Sequence, residues 1–226
     1  MASNELRTVR VWDLPTRLFH WALALCALGL LATAKVGGDA MMAWHARLGY
    51  SVASLLIFRL AWGIVGGHWS RFATFSHSPR AIVNQLRGNL GPELAIGHTP
   101  LGALSILALF TFLCAQVATG LFSTTLEDFA GPLNTLVSNA TGRLLTSYHK
   151  AVGEPVLIGL VLLHVGAIAY YRLRKGQDLV GPMLHGDKKL LADAPSSRDD
   201  WASRMLAAAL LVLASGLVAW LISFGG

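Results

Sequence analysis

Charge is scarce in this chain. Asp, Glu, Lys and Arg make up 13% of the 226 residues against 54% hydrophobic ones, and the mean hydropathy is +0.54, a balance that excludes an ordinary soluble domain and fits an integral membrane protein. Cysteine is nearly missing too. Cys26 and Cys114 both fall inside apolar runs, so neither a disulfide framework nor a thiolate cluster can be built from them. No Cys-x-x-Cys-His occurs, which excludes covalent c-type haem attachment. Internal repeats are absent, and no small-residue cleavage pattern follows the first apolar run, which therefore reads as a retained span rather than a signal peptide.

What is present is a set of five long apolar runs, at about 14–34, 41–65, 100–123, 147–174 and 201–224. Pro15 after Asp13 suits the first turn of a helix, where an amide hydrogen has no partner, and Gly66-Gly67 stops the second run. The segment 79–88, PRAIVNQLRG, reads as a short interfacial helix, and the loop 124–146, with Glu127, Asp128 and Pro132, has room for a helix lying on the membrane surface. Trp201 and Trp220 stand where interfacial anchors of the fifth run belong. That run has no histidine and reads as a packing or partner-contact helix. The expected fold is an all-α integral membrane protein: a four-helix transmembrane bundle over 1–190, then a linker and an additional C-terminal transmembrane helix over 191–226.

The net charge of +6 need not imply nucleic acid. All but Lys35, Arg47, Arg143 and Lys150 of the eighteen Lys and Arg lie before the first run, between the second and third, or between the fourth and fifth, or at the adjoining ends of those runs. By the positive-inside rule the N-terminus and the loops near 66–99 and 172–204 are cytoplasmic, and the C-terminus is periplasmic. The surrounding partner this implies is membrane lipid.

Four of the eight histidines lie in the apolar runs: His20, His45, His149 and His164. On a continuous helix the fifteen residues from His149 to His164 cover about 22 Å, most of a hydrocarbon core of about 30 Å, with the two rings about 60° apart around the axis. With the orientation set by Lys and Arg alone, His45 and His149 fall at the external level and His20 and His164 at the cytoplasmic level. Paired neutral imidazoles at one depth suit haem iron, which takes two axial nitrogens. Ala24, Gly49 and Gly153, one turn after His20, His45 and His149, would lower the helix wall for a macrocycle, whereas Ile168 after His164 breaks the pattern. Zinc would want more ligands than two histidines per level. Iron held by two histidines has no open position, so the chemistry expected is electron transfer.

Several ordered motifs carry a resemblance: VWDLPTRLFHW (11–21), FRLAWGIVGG (58–67) followed by Arg71-Phe72, GHTPLGA (97–103), the helix bearing His149 and His164, and LVGPMLHGDKK (179–189). From about Val11 to Lys189 the chain resembles the bacterial cytochrome b561-type family, which includes membrane subunits of nickel-iron hydrogenases and formate dehydrogenases. The resemblance implies two haem b groups in a bacterial inner membrane, His20 with His164 on the cytoplasmic one and His45 with His149 on the other. It also implies a quinone site near one haem, and makes Arg17, Arg59 and Arg71 candidates for holding haem propionates or a quinone head group. His98, in the GHTPLGA motif, is a candidate for helix capping or quinone contact. Thr99 stands where family members often carry Asn, and the fifth span goes beyond the simplest members.

Three functions follow. The first is a di-haem membrane cytochrome b carrying electrons between the quinone pool and a partner such as a cytochrome c or a dehydrogenase or hydrogenase subunit, so an electron-transfer subunit of a quinone reductase or quinol oxidase. The second is a partner-independent oxidoreductase acting on a small reductant such as superoxide, suggested by Lys150 beside His149. The third is a membrane anchor with structural histidines.

Overall fold

The computed structural model describes residues 6–75, 77–125, 130–191 and 193–225; Glu127 and Asp128 of the 124–146 loop lie outside the described residues. In chain order the elements are strand β1 (Arg7–Arg10) and helices α1 (Leu14–Val36), α2 (Asp39–Val65), α3 (Pro79–Leu86), α4 (Pro100–Phe122), α5 (Asn139–Tyr148) and α6 (Glu154–Arg174). Helix α7 (Val180–His185), strand β2 (Asp187–Leu190) and helix α8 (Trp201–Ile222) complete the chain. Five helical segments among the described residues are long and apolar enough to cross a membrane, as the apolar runs require. The protein is a multi-pass, all-α membrane protein.

Gly37 and Gly38 make the turn between α1 and α2 at φ of 70° and 83°, a backbone region that glycine enters without steric cost. Asp39 then opens α2, where a negative charge complements the helix dipole. The short helix expected at 79–88 is α3, capped by Ser78, whose hydroxyl accepts from the Ala81 amide. A helix also starts within the 124–146 loop, α5, capped in the same way by Ser138; it runs on into the fourth apolar span, which begins at Asn139 rather than at 147, so it is not a separate helix of the loop.

The residues form two compact units, each holding one end of α1, α2, α4, α6 and α8. The first comprises Met1–Leu18, Arg59–Ala108 and Leu163–Ala208. In it β1 and β2 pair antiparallel, with Arg7 opposite Leu190 and Arg10 opposite Asp187. From sequence, 1–13 reads as a polar lead and 175–200 as a polar connection; the structure joins the two, and the signal was the alternation in Arg7-Thr-Val-Arg-Val11. Val9, Val11, Trp12 and Ile96 form a buried cluster with Trp69, Met183, Leu190 and Ala194 against it. Arg10 clasps Asp187 and Asp199, and the Asp187 hydrogen bond is the main reason its guanidinium is held above its usual pKa. Burial works to raise Asp199, but hydrogen bonds from Arg204, the Leu14 amide and Arg10 outweigh it and leave the carboxyl below its usual value.

Asp13 organises this unit. It is fully buried. Its Oδ1 accepts from the Thr16 amide at 2.8 Å and from Trp62 Nε1 at 3.2 Å, and its Oδ2 from the Gly67 amide at 3.1 Å and Ser70 Oγ at 2.6 Å. A carboxylate has about four lone-pair sites, so this burial leaves none of its acceptor capacity idle. The helix start read at Asp13 is therefore also the tie between α1 and the end of α2.

The second unit comprises Phe19–Phe58, Leu109–Leu162 and Ala209–Gly226. Here α8 flanks α1 and α2 along a shallow groove of about 440 Å³ lined in part by Cys26, Tyr50, Ser54 and Ser215. Ala214 and Val218, one turn apart, are its buried residues in this unit, in keeping with a packing helix.

The fourth apolar run is not one uninterrupted α-helix. Residues His149–Gly153 form a π-helical turn between α5 and α6, with the Glu154 amide donating to the His149 carbonyl. Pro155 supplies the reason: it has no amide hydrogen, and in a regular α-helix its ring would press on the carbonyl of Ala151. The phase of about 60° between His149 and His164, computed for an unbroken α-helix, does not apply across that wider turn.

Candidate functional site

In the second unit His45, on α2, and His149, at the start of the π turn, face each other. Their ring centroids are 6.2 Å apart and their planes differ by 74°. Two imidazole–metal bonds of about 2 Å in line, with the half-width of each ring, separate centroids by roughly 6 Å. The gap has the width that two histidines sharing one metal ion would need, and it also lies within the range of an edge-on ring pair.

The other ring nitrogen of each histidine is engaged. His45 Nδ1 lies 3.2 Å from Thr33 Oγ1 and 3.1 Å from the Leu30 carbonyl, both on α1. His149 Nδ1 lies 3.1 Å from Thr119 Oγ1 on α4. A proton at Nδ1 leaves the lone pair on Nε2, the form that binds metal.

Glycine makes room around the pair. A Cβ at Gly120 would come within 3.2 Å of His149 Cε1, so α4 approaches that ring closely there, and Gly49, one turn beyond His45, faces open space. Gly153 behaves differently from the expectation of a low wall for a macrocycle. A Cβ there would stand 1.8 Å from Gln116 Oε1, so its space belongs to the Gln116 amide. Gln116 Nε2 donates to the His149 carbonyl at 3.1 Å, fastening the π turn to α4. Glu154, the next residue, pairs with Lys35.

His20 is half-buried on α1, its ring edge-on to Trp21 at 5.0 Å. His164 is half-buried on α6. His20 belongs to the second unit and His164 to the first.

The three arginines lie in the first unit in three different environments. Arg59 is 5% exposed, with its guanidinium 4.7 Å from the Phe72 ring centroid and 6.0 Å from that of Phe75. Its buried Nη1 has no hydrogen-bond partner among the described residues, and the same holds for Arg17 Nε, although Arg17 Nη1 donates to the Leu184 carbonyl at 2.5 Å. Such donors fit an anionic oxygen. Arg71 is exposed and its Nε donates to the Gly66 carbonyl at 2.9 Å, which satisfies the end of α2. His98 lies between the tilted rings of Trp12, at 4.5 Å, and Phe75, at 4.8 Å, while its carbonyl accepts from His77 Nε2. It does not cap α4: Thr99 does, accepting from the Gly102 amide, and Gln85 adds a bond to the Leu101 amide.

Sequence reasoning did not find Thr33, Thr119, Gln116 or Gly120. The available signal was polarity in apolar runs: Thr33 and Thr119 are hydroxyls near the same ends of their spans as His45 and His149. Among the described residues no group of three or more His, Cys, Asp or Glu could hold a metal ion. A metal held by His45 and His149 would need further ligands from its own prosthetic group, which the four nitrogens of a porphyrin would supply.

No solved structure matches the chain. A relative from Bradyrhizobium diazoefficiens, described as a probable Ni/Fe-hydrogenase B-type cytochrome subunit, is 23% identical over 216 residues, covering 80% of this chain and 86% of the relative. The family described as prokaryotic cytochrome b561 matches residues 11–186, a stretch containing all four intramembrane histidines and the Asp13 hub. The chain belongs to the prokaryotic cytochrome b561 family, membrane electron-transfer proteins of the cytochrome b type, for which haem b is the implied cofactor.

Proposed function

We propose that this chain is a di-haem cytochrome b that carries electrons across the membrane between the quinone pool and a partner redox protein. The observation that carries the reading is the His45–His149 pair, spaced at 6.2 Å with both Nδ1 atoms hydrogen-bonded. Bound haem supplies one-electron chemistry at an iron with no open position. The protein's part is to present Nε2 of His45 and His149 to the external haem, and His20 with His164 to the cytoplasmic one. Arg17 and Arg59, each with a buried N–H lacking a protein partner, offer charge-assisted hydrogen bonds to haem propionates or a quinone head group. Arg71 serves the end of α2 in this reading and is the weakest of the three candidates.

The N-terminus is cytoplasmic and the C-terminus periplasmic in a bacterial inner membrane, following the distribution of Lys and Arg. Residues 1–190 are the haem-binding core and 191–226 a linker with an added helix. The name of the Bradyrhizobium relative favours a hydrogenase subunit as partner. The test is spectroscopic. Purified protein with a b-type reduced spectrum and about two haems per chain supports the reading, and haem-free protein from haem-replete cells ends it.

A further inference from the structure

We infer that the outer face of α3 is a binding site for an anionic phospholipid of the cytoplasmic leaflet, with Arg80, Asn84 and Arg87 on the headgroup phosphate and Pro79, Val83 and Leu86 on the acyl chains. Gln85 pins the helix from its inner side. Its Nε2 donates to Tyr171 Oη at 2.9 Å, near the end of α6, and its Oε1 accepts from the Leu101 amide at 2.8 Å, in the first turn of α4. Both partners lie close to an end of a helix long enough to cross the membrane, so α3 lies near the bilayer surface. Ala81, Ile82 and Gln85 are its half-buried residues, and the rest of Pro79–Leu86 is exposed, as is Arg87 after it.

The exposed arc is divided by chemistry. Pro79, Val83 and Leu86 make one apolar stripe, with Val83 43% and Leu86 69% exposed, and Arg80, Asn84 and Arg87 make a second stripe about 100° around the axis from it. An open groove of about 320 Å³ runs where the stripes meet, lined by Pro79, Arg80, Val83, Asn84 and Arg87. No acidic residue lies on α3, and Glu93 is the one acid between Gly66 and Thr99, against three arginines. Among the described residues neither Arg80 nor Arg87 pairs with a carboxylate. An apolar stripe beside a cationic one is the pattern of a helix lying in the headgroup layer, where guanidinium groups meet phosphate oxygens. A phospholipid answers both stripes at once, because it joins an anionic phosphate to acyl chains in one molecule.

The choice of leaflet rests on the proposed orientation of the spans; the lipid preference depends on neither that orientation nor the haem. The full chain in neutral detergent is titrated with dioleoylphosphatidylglycerol, dioleoylphosphatidylcholine or glycerol 1-phosphate, and bound species are counted by native mass spectrometry. Phosphatidylglycerol is expected to bind more tightly than phosphatidylcholine. Each cation beside an anionic headgroup is worth about fivefold in affinity, so Arg80→Gln/Arg87→Gln is expected to bind phosphatidylglycerol about 25-fold more weakly. Arg80→Lys/Arg87→Lys should keep most of the affinity, and Arg143→Gln, at an exposed cation on α5, all of it. Equal binding of the two lipids, unchanged binding in Arg80→Gln/Arg87→Gln, or an equal loss in Arg143→Gln overturns the inference. So does glycerol 1-phosphate binding as tightly as phosphatidylglycerol, which would make this a site for a free phosphate ester. Labelling of Asn89→Cys above the wild-type level by an impermeant maleimide outside intact spheroplasts overturns the orientation, and with it the leaflet, while leaving the lipid preference standing.

Discussion

His45 and His149 hold their imidazole planes 74° apart across a centroid gap of 6.2 Å. The angle is built by different helices: His45 is oriented by Thr33 and Leu30 of α1, and His149 by Thr119 of α4 and by the π turn beneath it. Near-perpendicular axial rings leave the two in-plane directions of an iron porphyrin almost equivalent, whereas parallel rings distinguish them. A haem held by His45 and His149, as proposed, is therefore expected when oxidised to give a strongly anisotropic low-spin signal in electron paramagnetic resonance. A rhombic spectrum typical of parallel imidazoles, assigned to that haem, would contradict this geometry.

Pro155 is expected to control the same centre from six residues away. Pro155→Ala restores an amide hydrogen and removes the ring that obstructs the Ala151 carbonyl, so α6 can extend back through 149–153 as a regular helix. His149 would turn with it. The variant should lose or perturb the external haem in its optical and resonance spectra while retaining the other, and Gln116→Leu, which removes the tie to the His149 carbonyl, should move the spectrum the same way to a smaller extent. Wild-type spectra in Pro155→Ala would show that the proline does not shape the site.

Asp13 is expected to matter for folding before it matters for electron flow. Asp13→Ala removes the acceptor that Trp62 Nε1, Ser70 Oγ and the amides of Thr16 and Gly67 share in a buried place, and Ser70 keeps its bond with Thr16 Oγ1. Orphaned buried groups cost about 1–3 kcal/mol each and the effects are not additive, so a loss of about 3–5 kcal/mol is the expected order. Thermal denaturation in detergent measures it. Asp13→Asn should cost less because one oxygen still accepts.

Arg59 and Arg71 should behave differently although both match the resemblance. Arg59 lies fourteen residues along α2 from His45, a rise of about 21 Å, and is buried with a spare donor. Arg59→Gln is expected to lower the potential of the His20/His164 haem, because a fixed cation that favours the reduced state is gone, while the His45/His149 haem keeps its value. Arg71→Ala removes one bond to the Gly66 carbonyl, an effect of about 1 kcal/mol on stability with no shift in either potential. Redox titration and melting of the two variants check both halves.

The helices, and the nearness of His45 to His149, were legible in the sequence because both follow from simple lengths. Apolar runs of about 20 residues must be helices that satisfy their own backbone in lipid, and antiparallel spans of known length bring His45 and His149 near the same ends of their helices. The strand pair β1–β2 was hidden because its partners are some 180 residues apart and one of them, Asp187–Leu190, carries three charges in four residues. The π turn was hidden because an apolar run looks the same whether its turns are regular or wide; only Pro155 marked it. Gly153 was misread for a related reason: a glycine announces that something approaches, without saying whether it is a macrocycle or, as here, the amide of Gln116. Asp13 was seen as a helix start, but its three partners beyond α1 come from residues 49 to 57 positions away.

The most direct test of the central claim is to count and titrate haems in His20→Ala, His45→Ala, His149→Ala and His164→Ala. The account predicts that His45→Ala and His149→Ala remove the same redox component, and that His20→Ala and His164→Ala remove the other. If His45→Ala and His149→Ala abolish different components, or if all four variants keep the wild-type haem content, the account is contradicted.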